Sequence, residues 1–264
     1  MQEDLYWLWL SKLNIEAKAK LELLQEYKKP EIIFKQSKYN KKLLEELEKE
    51  IQKIEKYGIK IINIYNDYYP QNLIYIYDAP VVLFTLGNIE LLKEKSIAIV
   101  GARRCTTYGK KVAKEISRKI VRNNYNVISG LAKGIDTVAH LGAEGKTIAV
   151  LGSGLDVIYP KENTNLARDI IKRGGLIISE YGLGVLPEKI HFPSRNRIIS
   201  GIAEKVVVVE AGERSGSLIT AEFALEQGKD VYAVPGNITS FQSKGTNNLI
   251  KEGAIPYTEI MDLL

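Results

Sequence analysis

Basic side chains set on glycine-bearing loops suit one kind of chemistry, the binding of phosphate. Four such loops each follow a short apolar run and open a helix-like segment. They are Gly101-Ala102-Arg103-Arg104 after SIAIV, Ser129-Gly130-Leu131-Ala132-Lys133-Gly134 after NVI, Gly152-Ser153-Gly154 after TIAVL, and Ser215-Gly216-Ser217 shortly after KVVVVEA. Glycine lets the backbone turn close to a ligand, and a helix N-terminus presents unpaired N–H groups. Arg103 or Arg104 can meet a phosphate with a planar fork of donors. Lys133 stands between two glycines on a loop that leads into a helix, with Asp136 placed to cap it. The segment RSGS before LITAEFAL resembles an anion nest feeding a helix.

Other residues carry two readings each. Arg195 and Arg197 in HFPSRNR either reach a ligand or pair with Glu180 and Glu210, which end neighbouring strands. His140, four residues past Asp136, is a candidate general base or a structural histidine. Glu180 and Glu210 are the candidates for paired-carboxylate work, without independent support.

Several chemistries are disfavoured. GARRCTTYG lacks the G-x-G-x-x-G spacing of a dinucleotide site, and GSGLDV lacks its third glycine and a well-placed acid. No G-K-[ST] marks a P-loop, and no G-x-S-x-G marks a nucleophile elbow. One cysteine and two histidines give no convincing zinc ligands, and no cofactor is expected.

The elements that must position these loops alternate. From Ser96 the strands read SIAIV, NVIS, TIAVL, LIIS, KVVVVE and DVYAV, short and rich in Val and Ile as buried parallel strands are. Helices are predicted over Tyr108–Asn123, Asp136–Gly145, Asn163–Arg173, Arg195–Ala203, Leu218–Gln227 and Lys244–Lys251, with a last short helix in YTEIMDLL. The expected fold is α/β, a doubly wound and mostly parallel sheet whose loops share one ligand-binding edge. Before it, Leu5, Leu8, Trp9 and Leu13, and Leu43, Leu44, Leu47, Ile51 and Ile54, recur at helical spacing on either side of Lys29-Pro30. The predicted division is a small helical domain over 1–58 and an α/β domain over 59–264. In the connector, IKIINIY and VVLFTLG read as strands. Tyr65, Tyr68, Tyr69, Tyr75 and Tyr77 either stack bases or pack between the domains with wet hydroxyls.

Charge supports the placement of the site. The first 79 residues hold 13 lysines against 13 acids and no arginine, so the net +5 arises beyond them, with the glycine loops. A single cysteine, Cys105, points to a reducing compartment, and no secretory signal or membrane span is read, so a cytoplasmic protein is expected.

As an ordered set, GARRCTTYG, VISGLAKGIDTVAH, TIAVLGSGLDVIYP, LIISEYGLG, HFPSRNRIISGIAEKVVVVEA, SGSLITAEFALEQGKDVYAVPG and GTNNLIKEGA resemble the signature blocks of the DprA/Smf family of DNA-processing proteins. YYPQNLIYIYDAPVVLFTLGN resembles the entry to that family's Rossmann-like domain, and the helical N-terminus its sterile-alpha-motif-like domain. The resemblance implies a homodimeric, non-enzymatic binder of single-stranded DNA that helps load RecA, displacing single-strand-binding protein, in natural transformation or recombination. It implies a DNA site at Gly101, Arg103, Gly130, Lys133, Gly134, Lys161, Arg195, Asn196, Arg197, Ser215 and Gly216. Tyr108 and Phe192 are candidate stacking rings, and Leu249 and Ile250 a candidate dimer face. Two departures are visible: Thr106 stands where Ser is frequent, and the sequence stops soon after KEGA, so the winged-helix domain of some members is not expected. The alternatives are a nucleotide-processing enzyme similar to the lysine-decarboxylase-like phosphoribohydrolases, and a nucleotide-sensing scaffold. The enzyme's PGGxGTxxE motif is replaced here by SGSLITAEFA, with Glu222 the nearest acid.

Overall fold

The computed structural model describes residues 2–37 and 41–264, so residues 1 and 38–40 of the predicted helical unit lie outside the described residues. Four helices come first: α1 (Gln2–Lys12), α2 (Ala17–Tyr27), α3 (Pro30–Gln36) and α4 (Lys41–Lys56). Pro30 opens α3 rather than merely ending α2, since a first-turn proline forfeits no helical hydrogen bond. The strands are β1 (Lys60–Asn63), β2 (Val82–Gly87), β3 (Ser96–Val100), β4 (Asn126–Ser129), β5 (Thr147–Leu151), β6 (Leu176–Ser179), β7 (Lys205–Val208), β8 (Asp230–Ala233) and β9 (Ile255–Pro256). Between and after them run α5 (Gln71–Ile74), α6 (Thr107–Arg122), α7 (Ile135–Gly142), α8 (Thr164–Lys172), α9 (His191–Ile202), α10 (Gly216–Glu226) and α11 (Lys244–Lys251). The C-terminal turn over Ile260–Leu263 is 3-10.

All nine strands join one sheet in the order β1-β2-β6-β5-β4-β3-β7-β8-β9. From β6 to β9 every pairing is parallel; β2 runs antiparallel to β6, and β1 antiparallel to β2. The chain steps outward from β3 through β4, β5 and β6, then returns to lay β7 on the other side of β3. That reversal between β3 and β7 is the place where a doubly wound sheet opens a crevice.

Alternation along the strands assigns the layers. Ala98, Val100, Ile148 and Val150 pack with Ile198, Ile199 and Ala221 of α9 and α10. Their neighbours Ile97 and Ile99 face Ile116 and Ile120 of α6. Ala149, Leu151 and Ile177 join Leu5, Trp7, Leu8 and Leu47, so the N-terminal helices share an apolar cluster with the sheet. Tyr65 meets Trp7 edge-on at 5.6 Å and Tyr77 lies under Lys18, so these connector rings contact the helices. Tyr69 is buried and donates its hydroxyl to the Pro80 carbonyl. Leu249 belongs to the core at 8% exposure, and Ile250 packs partly buried against the same cluster.

Candidate functional site: a cationic crevice at the sheet edge

The loops leaving β3, β4 and β7 are tied together before any side chain is considered. The Ala102 amide donates to the Glu210 carbonyl at 2.7 Å, and the Ile135 amide donates to the Ala102 carbonyl at 3.2 Å. The approach is close enough to demand glycine. A Cβ on Gly101 would fall 2.7 Å from Ile135, and one on Gly134, whose φ is +81°, would fall 2.3 Å from the Ala102 carbonyl.

This scaffold frames a crevice of about 890 Å³. Gly101, Arg103 and Arg104 from the loop after β3 line it, with Tyr159 from the long β5–α8 connection, Lys189, Phe192 and Asn196 around the start of α9, and Arg214, Ser215, Gly216 and Ser217 at the start of α10. Ser215 caps α10, its hydroxyl accepting from the Ser217 amide. Four exposed cations, Arg103, Arg104, Lys189 and Arg214, thus surround the electropositive end of an 11-residue helix. A side recess holds Gly130, Lys133, Tyr159, Pro160 and Phe192. The Arg103 guanidinium lies 5.6 Å from the Phe192 ring centre, and Tyr159 lies 5.5 Å from the same ring. The site therefore combines phosphate-binding groups with an aromatic surface.

Arg195 sits under this floor, only 4% exposed. Its Nη1 donates to the carbonyls of Gly130, at 2.6 Å, and Val150. Burial pushes its guanidinium down to about 10, with Asp136 opposing that shift and Arg103 adding to it. Asp136 does not cap α7, whose N-cap is Gly134; its carboxylate accepts from the Gly130 and Ala132 amides instead. Burial raises the Asp136 carboxyl, against the pull of Arg195. His140 accepts from the Leu131 amide and bonds Thr147 through its other nitrogen. Burial, with the Arg195 charge, lowers its imidazole to about 3, and with both ring nitrogens bonded inside the fold His140 braces this loop and does not line the crevice. These groups hold the loop after β4, where Leu131 carries a φ of +55°.

The predicted site residues divide accordingly. Gly101, Arg103, Asn196, Ser215 and Gly216 line the crevice, Gly130 and Lys133 line the recess, and Arg195 underlies both. Lys133 is engaged by Glu162 at 2.5 Å. Gly134 shapes the loop, and Lys161 is exposed on a 3-10 turn outside the wall. Arg197 faces away: successive helix residues turn by about 100°, so two positions carry it to the other side of α9. There it binds Asp78 at 2.8 Å and Glu180 at 2.6 Å. The expected pairing with Glu180 is present. Glu210 instead accepts from the Thr106 amide at 2.8 Å and its hydroxyl at 2.5 Å. Tyr108 borders a neighbouring recess with Glu210 and Ser243 and donates to the Pro235 carbonyl, whereas Phe192 lies in the crevice. Glu222 is exposed on α10 and does not line the crevice. Lys189 and Arg214 were missed, although Lys189 stands three residues before Phe192, just ahead of α9, and Arg214 precedes the Ser215 cap. Among the described residues no group of three or more His, Cys, Asp or Glu is arranged to hold a metal ion, and no helix is long and apolar enough to cross a membrane.

A doubly wound sheet with a cationic, aromatic-walled crevice at its switch point defines an α/β protein with a site suited to anions. Residues 60–264 match the family described as DNA recombination-mediator protein A, and the chain belongs to that family. It is 49% identical over 221 residues to the DNA processing protein DprA of Streptococcus pneumoniae, covering 83% of this chain and 76% of that one. The X-ray structure of DprA from Streptococcus pneumoniae superposes with a TM-score of 0.83 at 41% identity, covering all of this chain and 96% of that one. DNA processing protein A from Helicobacter pylori, whose structure concerns its single-stranded DNA binding mode, superposes with a TM-score of 0.72 at 30% identity, covering 78% of this chain and 94% of that one.

Proposed function

We propose that this protein is a single-stranded DNA-binding recombination mediator, and that the crevice is where it holds the strand. The observation that carries this is the convergence of Arg103, Arg104, Lys189 and Arg214 with the capped start of α10, beside the Phe192 ring. Phosphates take the charges and bases take the ring, the combination by which single strands are bound without sequence reading. Gly101, Asn196, Ser215 and Gly216 complete the wall; Gly130, Lys133 and Gly134 form its side; Arg195 positions the floor; Lys161 extends the basic edge. The finer role is protection of the strand and its transfer to RecA in place of single-strand-binding protein, by a cytoplasmic homodimer without a catalyst. Within it, residues 1–58 form an auxiliary helical domain and 59–264 the binding domain.

Anisotropy of a labelled oligo-dT tests the binding. The intact chain should bind it at moderate salt, and Arg103→Ala should weaken it about tenfold by removing one charge-assisted contact. Absence of binding, or binding indifferent to Arg103→Ala, contradicts the reading. RecA filament formation on strands covered by single-strand-binding protein tests the mediator role. Base release from nucleotide monophosphates, lost in Glu222→Ala, would instead make the protein an enzyme.

A further inference from the structure

We propose that Phe241 is a second base-stacking platform, so that the crevice grips a single strand by two separated nucleobases. Phe241 lies on a 3-10 turn after β8, lines the crevice beside Gly212 and Arg214, and is 62% exposed. So open a phenylalanine is expected to be mobile unless something fixes it, and here the backbone does. The Ala211 amide donates to the Gln242 carbonyl at 2.8 Å, and the Gly245 amide donates to the Ala211 carbonyl at 2.8 Å, which ties the turn to the loop after β7. The ring edge rests on Gly212, where an added Cβ would stand 2.7 Å from Cε1. One edge is thereby supported while much of the ring faces the crevice.

Its position relative to Phe192 makes the platform a separate subsite. Phe192 packs at the end of β5, where a Cβ on Gly152 would lie 3.3 Å from its ring, and Phe241 packs on the loop after β7. Between them the sheet runs β5-β4-β3-β7. Three strand spacings place the two supports roughly 14 Å apart. Stacked bases rise about 3.4 Å per nucleotide, so supports this far apart suit two different bases rather than one. The phosphates between them pass Arg103, Arg104 and the start of α10. The apolar ring among cations favours a nucleobase over an apolar peptide, because a polyanion brings both charge and π-faces to one place.

This inference rests on the single-stranded DNA reading, and the experiment separates the two. Oligo-dT just long enough to span the crevice in one register, with 2-aminopurine at one position at a time, is titrated with the intact chain, with Phe241→Ala and with Phe241→Trp. The fluorescence change is expected at two separated sets of positions. Phe241→Ala should abolish one set, keep the other, and weaken oligo-dT about fivefold or more, while retaining the unfolding midpoint. Phe241→Trp should restore both. Phe241→Ala matching the unaltered chain in profile and affinity overturns the second platform and leaves the functional reading standing. So does a Phe241→Ala effect confined to oligomeric state, which would mark the ring as a contact between copies of the chain. No binding by the unaltered chain overturns both.

Discussion

Arg195 and Arg197 are two residues apart on α9, each 4% exposed, and they serve opposite sides of the helix. On the crevice side, Arg195 meets backbone carbonyls and the Asp136 field under a floor of exposed cations. On the other side, Arg197 is neutralised by Asp78 and Glu180. Lys20 of α2 lies in the same field; burial lowers its ammonium, Glu180 opposes this, and it donates to the Ser11 carbonyl at 2.6 Å. The carboxylates therefore consume the charge beneath the N-terminal helices and leave it available at the sheet edge. A count of arginines says little about anion binding until each is assigned its counter-charge.

The largest break of this comparison is Arg197→Leu, which leaves Glu180 and Asp78 without their cation. Unfolding in urea should show a loss of about 3 kcal/mol, while the folded fraction binds oligo-dT within twofold of the unaltered chain. Lost affinity with intact stability would move Arg197 into the binding site.

The next effect lies under the crevice and is read by pH. His140 is held neutral, with a folded value of about 3 against about 6.5 unfolded. Below pH 6.5 the unfolded chain takes a proton that the folded chain refuses, so stability falls with acid until about pH 3. Between pH 7 and 5 this group accounts for a loss of about 2 kcal/mol. Denaturation of His140→Asn at both pH values should show a dependence flatter by that amount; an unchanged slope would mean that the imidazole is charged or exposed.

The smallest effect is at the rim. Lys133 and Glu162 are both exposed, so Glu162→Gln should move stability by no more than about 0.5 kcal/mol. Freed of its partner, Lys133 should tighten oligo-dT about twofold. Weakened binding in Glu162→Gln would show that the pair acts as a unit.

Much of this was legible in the sequence. The Val- and Ile-rich runs became buried strands, and three of the four glycine loops came together because parallel strands deliver their loops to one edge; Gly152-Ser153-Gly154 does not line the crevice, Gly152 backing Phe192 and Gly154 packing on Gly182. The start of α9 was misplaced. The helix was predicted from Arg195, yet α9 starts at His191 and takes Pro193 into its first turn, where a proline lacks only an N–H that would be unpaired anyway. Placing both arginines inside the helix is what separates their faces. The burial of His140 and Leu249 was equally hidden, because helical spacing does not tell which neighbour covers a residue. Phe241 had no sequence signal, as its setting depends on the Ala211–Gln242 hydrogen bond between distant loops.

The central claim, that the exposed cations of the crevice hold a phosphate backbone while the neutralised ones do not, is tested most directly by salt. Affinity for oligo-dT is measured from low to moderate salt for the unaltered chain, Arg103→Gln and Arg197→Gln. The logarithm of affinity should fall linearly with the logarithm of salt concentration. Arg103→Gln should reduce the slope by about 0.7, one phosphate contact on a single strand, and Arg197→Gln should leave it unchanged. A slope untouched by Arg103→Gln, or lowered by Arg197→Gln, would contradict the account.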